Sequence, residues 1–147
     1  RRLDRVLRSV STDHSFTSLA LVRLDPATGE ALLANAGHPY PLVFAAGRIA
    51  EVALPGLPLG QGPERPFTDQ AFQLPSGGAL LLCSDGLSEA LDRNGNPYGF
   101  DRSREVLLVM GHRPAVEIVD ALLNDCRRHL GAEQAPDDVT VVVVRRT

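Results

Sequence analysis

The 147-residue sequence has little of several features that mark particular classes of protein. It contains no tryptophan and only two cysteines, and its formal charge is −3 with arginines and carboxylates intermixed. Two cysteines are too few for a disulfide-stapled secreted domain. The absence of a basic stripe argues against a nucleic-acid partner. No apolar run approaches the roughly 20 residues that span a bilayer, so a membrane protein is not expected.

The two cysteines, Cys83 and Cys126, lie far apart and within apolar patterns. Buried free thiols are therefore the favoured interpretation, rather than a disulfide. The chain does not open with the charged start and apolar middle of a secretory signal, which predicts a cytoplasmic protein.

What the sequence does contain is 44% hydrophobic residues, enough for one domain with its own core over residues 1–147. Leu3, Val6, Leu7 and Val10 follow the spacing of a helix face, with almost nothing before them. This start resembles the end of a helix cut from something longer. We therefore expect the N-terminal portion of the domain to be missing.

Strand patterns dominate the first two thirds of the chain, and helical patterns follow. Alternation, turn residues and apolar runs predict strands at 16–25, 30–35, 41–45, 48–53, 67–74, 79–83 and 139–144. A short helical piece follows Gly86, and longer helices are predicted at 101–110 and 114–130, the latter with a core-facing stripe of Val119, Leu122, Leu123, Cys126 and Leu130. The pattern predicts an α+β fold of antiparallel sheets with helices laid against them.

Acidic residues stand at the ends of two apolar strands, which their continuous apolar runs predict to be covered on both faces. Asp85 follows the run that ends at Cys83, and Asp137 and Asp138 precede the run that starts at Val139. If these strands are antiparallel neighbours, the end of one lies beside the start of the other. The carboxylates would then converge.

Convergent carboxylates need a cation, because each raises the pKa of the others. A hard divalent ion with oxygen ligands, Mg²⁺ or Mn²⁺, fits best, and Gly86 would let a backbone carbonyl approach the ion. The alternative is a pair of ordinary aspartate-containing turns, since Asp-Gly is a common turn dipeptide. The four histidines show no paired ligand spacing.

Five motifs occur together in a characteristic order. They are Phe-Thr-Ser-Leu-Ala-Leu-Val-Arg-Leu-Asp at 16–25, Asn-Ala-Gly-His at 35–38, Leu-Pro-Leu-Gly at 57–60, Leu-Leu-Leu-Cys-Ser-Asp-Gly-Leu-Ser-Glu-Ala at 80–90 and Asp-Asp-Val-Thr at 137–140. In order and spacing they resemble the SpoIIE-type branch of the metal-dependent protein phosphatases, relatives of protein phosphatase 2C. The resemblance covers nearly the whole chain from about Phe16 onward.

The resemblance implies a β-sandwich of two antiparallel sheets flanked by helices, with two Mn²⁺ or Mg²⁺ ions at one end. Asp85 and Asp137 resemble metal-ligating aspartates of the family and are the predicted catalytic residues. Gly86 and Asp138 complete the predicted metal site, Asp138 as a neighbour of the ligands. In the family the metals hold a water that attacks the phosphorus of a phosphoserine or phosphothreonine, which agrees with two-metal chemistry.

The sequence departs from the family pattern before Asp85. The family's upstream Gly-Asp motif supplies a bridging aspartate, and Asp4, Asp13 and Asp25 lack its glycine-rich strand context. Either an N-terminal portion is missing, or the domain is naturally incomplete and acts as a protein-interaction module. The 147-residue chain alone is expected to bind metal weakly and to turn over little.

The resemblance also implies a role in bacterial signalling or stress response. The expected partner is a phosphoprotein substrate, an anti-sigma-factor antagonist as in the family's partner-switching systems, and an upstream sensor or regulatory domain would fit the family.

Four further features have less direct interpretations. The segment 35–39, with His38, is favoured as a turn over a contributor to the site, and residues 57–60 as a structural loop. Glu89 would either reach back toward the site or lie in solvent. Residues 92–98 have the turn chemistry of a flexible flap that touches substrate.

Overall fold

The computed structural model describes residues 2–10, 16–61, 66–131 and 138–147. Its elements, in chain order, are α1 (Arg2–Val10), β1 (Leu19–Leu24), β2 (Glu30–Ala36), β3 (Leu42–Ala45), β4 (Arg48–Glu51), β5 (Asp69–Gln73), β6 (Ala79–Cys83), α2 (Asp85–Ser88), α3 (Gly99–Met110), α4 (Ala115–Leu130) and β7 (Val141–Arg145). They fall into two compact units, which are described separately. The first comprises residues 1–38 and 52–73, and the second residues 39–51 and 74–147.

The first unit contains a three-stranded antiparallel sheet in the order β1-β2-β5. The β1–β2 turn forms because Asp25 Oδ1 accepts hydrogen bonds from the backbone N–H groups of Ala27 and Thr28, at 2.8 and 3.2 Å. Gly29 then takes a φ of +79°, which closes the turn. The predicted hairpin is confirmed.

The helix predicted at the start of the chain is confirmed as α1, and the side chain that it buries most deeply is a polar one. Leu3 and Val6 are 50% and 51% exposed, whereas Asp4 is 2% exposed. The carboxylate of Asp4 accepts hydrogen bonds of 2.8 Å from Arg8 Nε and from the backbone N–H of Gly60. A charge-assisted contact, rather than an apolar stripe, therefore joins the helix to the 59–61 loop.

The 57–60 segment is structural, as predicted. Leu59 is 3% exposed, and its backbone exchanges two hydrogen bonds with Thr17, at 2.8 and 3.1 Å. These bonds tie the loop to the residues that precede β1.

The buried carboxylate of Asp4 predicts an acid-sensitive stability. Hydrogen bonds from Arg8 and then from the Gly60 N–H hold the pKa of Asp4 below its ordinary value of 3.8. The stabilisation is therefore complete above pH 3.8 and is lost as the pH falls through the lowered folded-state pKa. In urea unfolding at a series of pH values, Asp4→Asn should be less stable than wild type at pH 7. Its free energy of unfolding should also lack the decrease that wild type shows as the pH falls. A variant whose free energy of unfolding changes with pH as the wild type's does would contradict the assignment.

The second unit contains a four-stranded antiparallel sheet in the order β4-β3-β6-β7. Leu81 in β6 lies opposite Leu42 of β3 and Val143 of β7. The helices α3 and α4 pack against this sheet, and the buried residues of the resulting core are Leu42, Phe44, Ala79, Leu81, Leu107, Ile118 and Leu122. Gly111 lies so close to the Phe44 ring that a Cβ there would be 2.3 Å from Cγ, which explains a small residue between α3 and α4.

The buried stripe of α4 is shifted by one position from the prediction. Ile118, Leu122, Cys126 and Leu130 are the buried residues, whereas Val119 and Leu123 are half-buried. A second core cluster brings together Cys83, Leu87, Ala90, Tyr98, Cys126 and Leu130. Both cysteines are free and buried, as predicted, and burial raises the pKa of the Cys83 thiol to about 11.

The strand β7 differs from its prediction as a strand buried on both faces. It begins at Val141, lies last in the order of the described strands, and leaves Val142 48% exposed. Val141 and Val143, on the other face, are partly buried against the core, so this strand is covered mainly on one face. By contrast β6, in the interior of the sheet, has the predicted bounds 79–83 and is almost fully buried.

The predicted α+β class, with two antiparallel sheets and accompanying helices, is confirmed. Within the residues that the structure describes, no helix has the length and apolar character required to cross a membrane.

Candidate metal centre

The candidate site lies where β6 ends and β7 begins. Beyond the last pair of the ladder, Ser84 N–H donates to the carbonyl of Thr140 at 3.0 Å, and Thr140 N–H donates to Ser84 Oγ at 3.0 Å. The Ser84 hydroxyl donates in turn to the carbonyl of Asp138 at 3.2 Å. The two strands are therefore antiparallel neighbours, as predicted, and Asp85 and Asp138 follow and precede this paired end.

Asp85 is the first residue of the short helix α2, and the backbone around it is firmly held. Its carbonyl accepts the Glu89 N–H at 2.8 Å and the Ser88 hydroxyl at 3.0 Å. Leu87, with 0% exposure, anchors α2 in the second core cluster. Asp85 itself is exposed, so a rigid base presents an accessible residue.

The carboxylate of Asp85 retains capacity for a ligand. Oδ1 accepts the backbone N–H of the buried Gly86 at 3.0 Å, while Oδ2 has no hydrogen-bond partner among residues 2–10, 16–61, 66–131 and 138–147. A carboxylate oxygen that accepts no hydrogen bond from the described residues can coordinate a hard cation.

The structure describes only one of the two aspartates that were predicted as ligands before β7. Asp138 is exposed beside the paired strand end, while Asp137 lies outside the described residues, so its role stays a prediction. Among the side chains that are described, no group of three or more His, Cys, Asp or Glu is arranged to hold a metal ion. The oxygen donors of Asp85 and Asp138 fit Mg²⁺ or Mn²⁺ in kind, and further ligands, water among them, would complete the shell.

Ser84 has a structural role that the sequence analysis did not assign. Its hydroxyl bridges the two strands at the point where both acidic motifs leave the sheet. The available signal was its place in the motif, between the last buried residue of β6 and Asp85. Ser84 thereby holds the backbone of the two motifs together.

The segment 35–39 ends β2 at Ala36 and bends at Gly37, so the turn favoured from the sequence lies directly after the strand. The side-chain amide of Asn35 donates to the carbonyls of His38 and Leu54, both at 2.9 Å, and its Oδ1 accepts the His38 N–H at 3.0 Å. Asn35 is 5% exposed, so this clamp is buried.

Residues 92–98 form a hydrogen-bonded turn, as their turn chemistry indicated, and their predicted flexibility stays a prediction. The Asp92 carboxylate accepts the side-chain amide of Asn96 and the backbone N–H groups of Asn96 and Asn94, the latter two at 2.9 and 2.8 Å. These bonds, the Asn96 amide first, lower the pKa of Asp92 to about 2. Contact of this turn with substrate stays a prediction, as does any role of Glu89, which is exposed and caps α2 through its backbone.

Known proteins resemble this chain in sequence and in fold. The family model for stage II sporulation protein E (SpoIIE) matches residues 1–147. Protein IcfG of Synechocystis sp. (strain ATCC 27184 / PCC 6803 / Kazusa) is 25% identical over 142 residues, which make up 93% of this chain and 22% of that protein.

Two solved structures share the fold. The SiaA-PP2C domain of Pseudomonas aeruginosa has a TM-score of 0.83 and 21% identity, over 97% of this chain and 57% of that one. The catalytic domain of the serine/threonine protein phosphatase PstP, in complex with two manganese ions, has a TM-score of 0.67 and 20% identity. This match covers 97% of this chain and 64% of that one. The chain thus spans less than two thirds of each of these proteins. It belongs to the SpoIIE family and has the fold of PP2C-type phosphatase domains.

Proposed function

We propose that this chain belongs to a metal-dependent phosphatase that hydrolyses phosphoserine or phosphothreonine on a regulatory protein in bacterial signalling. The observation that carries the proposal is the paired end of β6 and β7, where Ser84, the residue before Asp85, donates to the backbone of Asp138 in a member of the SpoIIE family. An anti-sigma-factor antagonist is the proposed substrate class, on the resemblance stated above.

The proposed ligands of a Mn²⁺ or Mg²⁺ ion are the carboxylates of Asp85, Asp137 and Asp138, with Gly86 contributing a backbone carbonyl. A bound divalent ion supplies two things to phosphate hydrolysis: it lowers the pKa of a bound water and neutralises charge on the phosphoryl oxygens. The manganese ions in PstP support the choice of metal.

The protein itself contributes by holding the two acidic motifs in position. Ser84 holds the two motif backbones together, and α2 holds the Asp85 backbone against buried residues. Both Asp85 and Asp138 are exposed, so the site is open to a phosphorylated side chain carried by another protein. A site that is fixed in advance needs little reorganisation when it binds its ligands.

Metal dependence tests the proposal. The intact protein, freed of metal by dialysis against a chelator, should hydrolyse a small aryl phosphate and a phosphoserine peptide only after Mn²⁺ or Mg²⁺ is added. Chelator in excess should abolish the rate and renewed Mn²⁺ should restore it, because the nucleophile depends on the metal. A rate that is equal with and without chelator would end the proposal. A folded protein that is inactive with either metal would favour the interaction-module alternative.

A further inference from the structure

A basic cavity of about 580 Å³ lies at the C-terminal end of α4, and the motif analysis assigned it no role. Three arginines from three different elements line it: Arg93 from the 92–98 turn, Arg102 from α3 and Arg128 from α4. The other lining residues are Asp92, Asn94, His129, Leu130 and Gly131. None of these lining residues belongs to the candidate metal centre.

Two of the arginines share a single carboxylate. Arg102 Nε contacts Asp125 Oδ2 and Arg128 Nη2 contacts Asp125 Oδ1, each at 2.9 Å. The Arg102 guanidinium also lies 5.5 Å from the centre of the Tyr98 ring, in a cation–π contact. The Asp125 carboxylate thus orients the guanidinium groups of Arg102 and Arg128, and both groups keep N–H donors for another partner.

His129 helps to fix the same wall, and its two neighbours determine its tautomer. Arg102 Nη1 is a donor and lies 3.2 Å from Nδ1, so this nitrogen accepts. The Asn96 carbonyl is an acceptor and lies 3.0 Å from Nε2, so this nitrogen carries the proton. The ring therefore joins α3 and α4 to the turn that carries Arg93.

The carboxylates at the cavity do not balance its arginines. The oxygens of Asp92 are engaged by Asn94 and Asn96 within the turn, and those of Asp125 by Arg102 and Arg128. Within the described part of the chain, Arg93 makes no hydrogen bond or ion pair. Asp92 lines this cavity with the three arginines, whereas Asp125 lies in the neighbouring cavity, which Arg102 and Arg128 also line together with Asp101 and Glu105. Among the described lining residues, three guanidinium groups thus meet one carboxylate, which leaves the lining a net positive charge.

The basic residues of the last turn of α4 have a simpler explanation, which does not cover the whole cavity. Cations are favoured at a helix C-terminus, and this accounts for Arg127, Arg128 and His129. It does not account for Arg93 and Arg102, which come from other elements. Their convergence on one cavity requires the tertiary structure.

We propose that this cavity binds a phosphate monoester group. At neutral pH such a group carries about −1.5 to −2 charges and has three acceptor oxygens, which match planar guanidinium forks that are held in place beforehand. The same chemistry is offered by a phosphorylated side chain of a partner protein and by free phosphate. Only the link to a phosphoprotein substrate rests on the proposed function, while binding itself requires no turnover.

Titration calorimetry on the intact protein, in chelator and without added metal, tests this site apart from catalysis. The probes are a phosphoserine peptide with neutral flanks, its unphosphorylated form and inorganic phosphate. The double variant Arg93→Gln/Arg128→Gln should weaken phosphopeptide binding by about tenfold, since it removes two charged donors. The matched control Arg127→Gln changes an exposed arginine of the same helical turn that is bonded to Asn124 and lies outside the cavity, and it should change binding less than twofold.

The outcomes separate the ligand sources and the two proposals. Phosphopeptide binding tighter than phosphate binding identifies a protein-borne ligand, and equal binding identifies the free anion. The site is refuted by an absence of phosphate-dependent binding, by equal binding of the unphosphorylated peptide, or by equal losses in the double and control variants. Because Asp85 does not line the cavity, the double variant should retain the Mn²⁺-dependent turnover number for a small aryl phosphate. A failure of that hydrolysis in the unmodified protein would refute the proposed function and leave the binding result standing.

Discussion

Replacing Asp85 by asparagine is expected to lower the Mn²⁺-dependent phosphatase rate of the intact protein by about a hundredfold or more, since even indirect supporters of a metal ligand are worth 10–100-fold. Asparagine keeps the size of the side chain and an oxygen that can accept the Gly86 N–H, but it removes the negative charge. The expected loss therefore reports on the metal site rather than on the fold of α2. Steady-state rates at several Mn²⁺ concentrations would show both a lower maximal rate and a weaker apparent metal affinity.

The control is Asp120→Asn, which makes the same chemical change at an exposed position on α4. This variant should keep the wild-type rate and metal dependence, and circular dichroism should show both variants folded. An Asp85→Asn protein with an unchanged rate would remove Asp85 from the site.

Truncation of Leu81 to alanine should have the largest effect on stability. Leu81 is 1% exposed in β6, between β3 and β7 and within the core beneath α3 and α4. Loss of a buried leucine leaves a cavity and forfeits apolar burial, so the free energy of unfolding should fall by about 3 kcal/mol. Urea unfolding followed by circular dichroism measures this change.

The matched truncation Val109→Ala, on α3, removes methyl groups that are already in solvent, because Val109 is 67% exposed. Its effect should stay within about 0.5 kcal/mol. Similar small effects for both variants would show that β6 does not lie in the core.

Much of the local structure could be predicted because it depends on neighbouring residues. The apolar run 79–83 and its flanking glycine and aspartate signals predicted β6 with the bounds that the structure has. Gly131, with a φ of +66°, ends α4 as its position in the pattern indicated. The pairing of β6 with β7 followed from strand ends and the antiparallel rule, while the convergence of the Asp85 and Asp138 carboxylates stays a prediction.

Other features were wrong or absent in the sequence-based prediction because burial is a property of the whole fold. The apolar spacing of residues 3–10 predicted the helix α1, but the contacts of Asp4 with Arg8 and Gly60 decide which residue it buries most. The residues of β7 have the composition of an interior strand, and only the order of the described strands places it last in its sheet.

The sequence by itself determined the strands and helices, the family and the two acidic motifs, because periodicity, turn chemistry and motif spacing are encoded over short stretches of chain. Tertiary structure alone decided that Ser84 bridges the two motifs and that Arg93, Arg102 and Arg128 line one cavity. Those contacts join residues far apart in the chain, and they form only where the packing of strands and helices brings the backbones together.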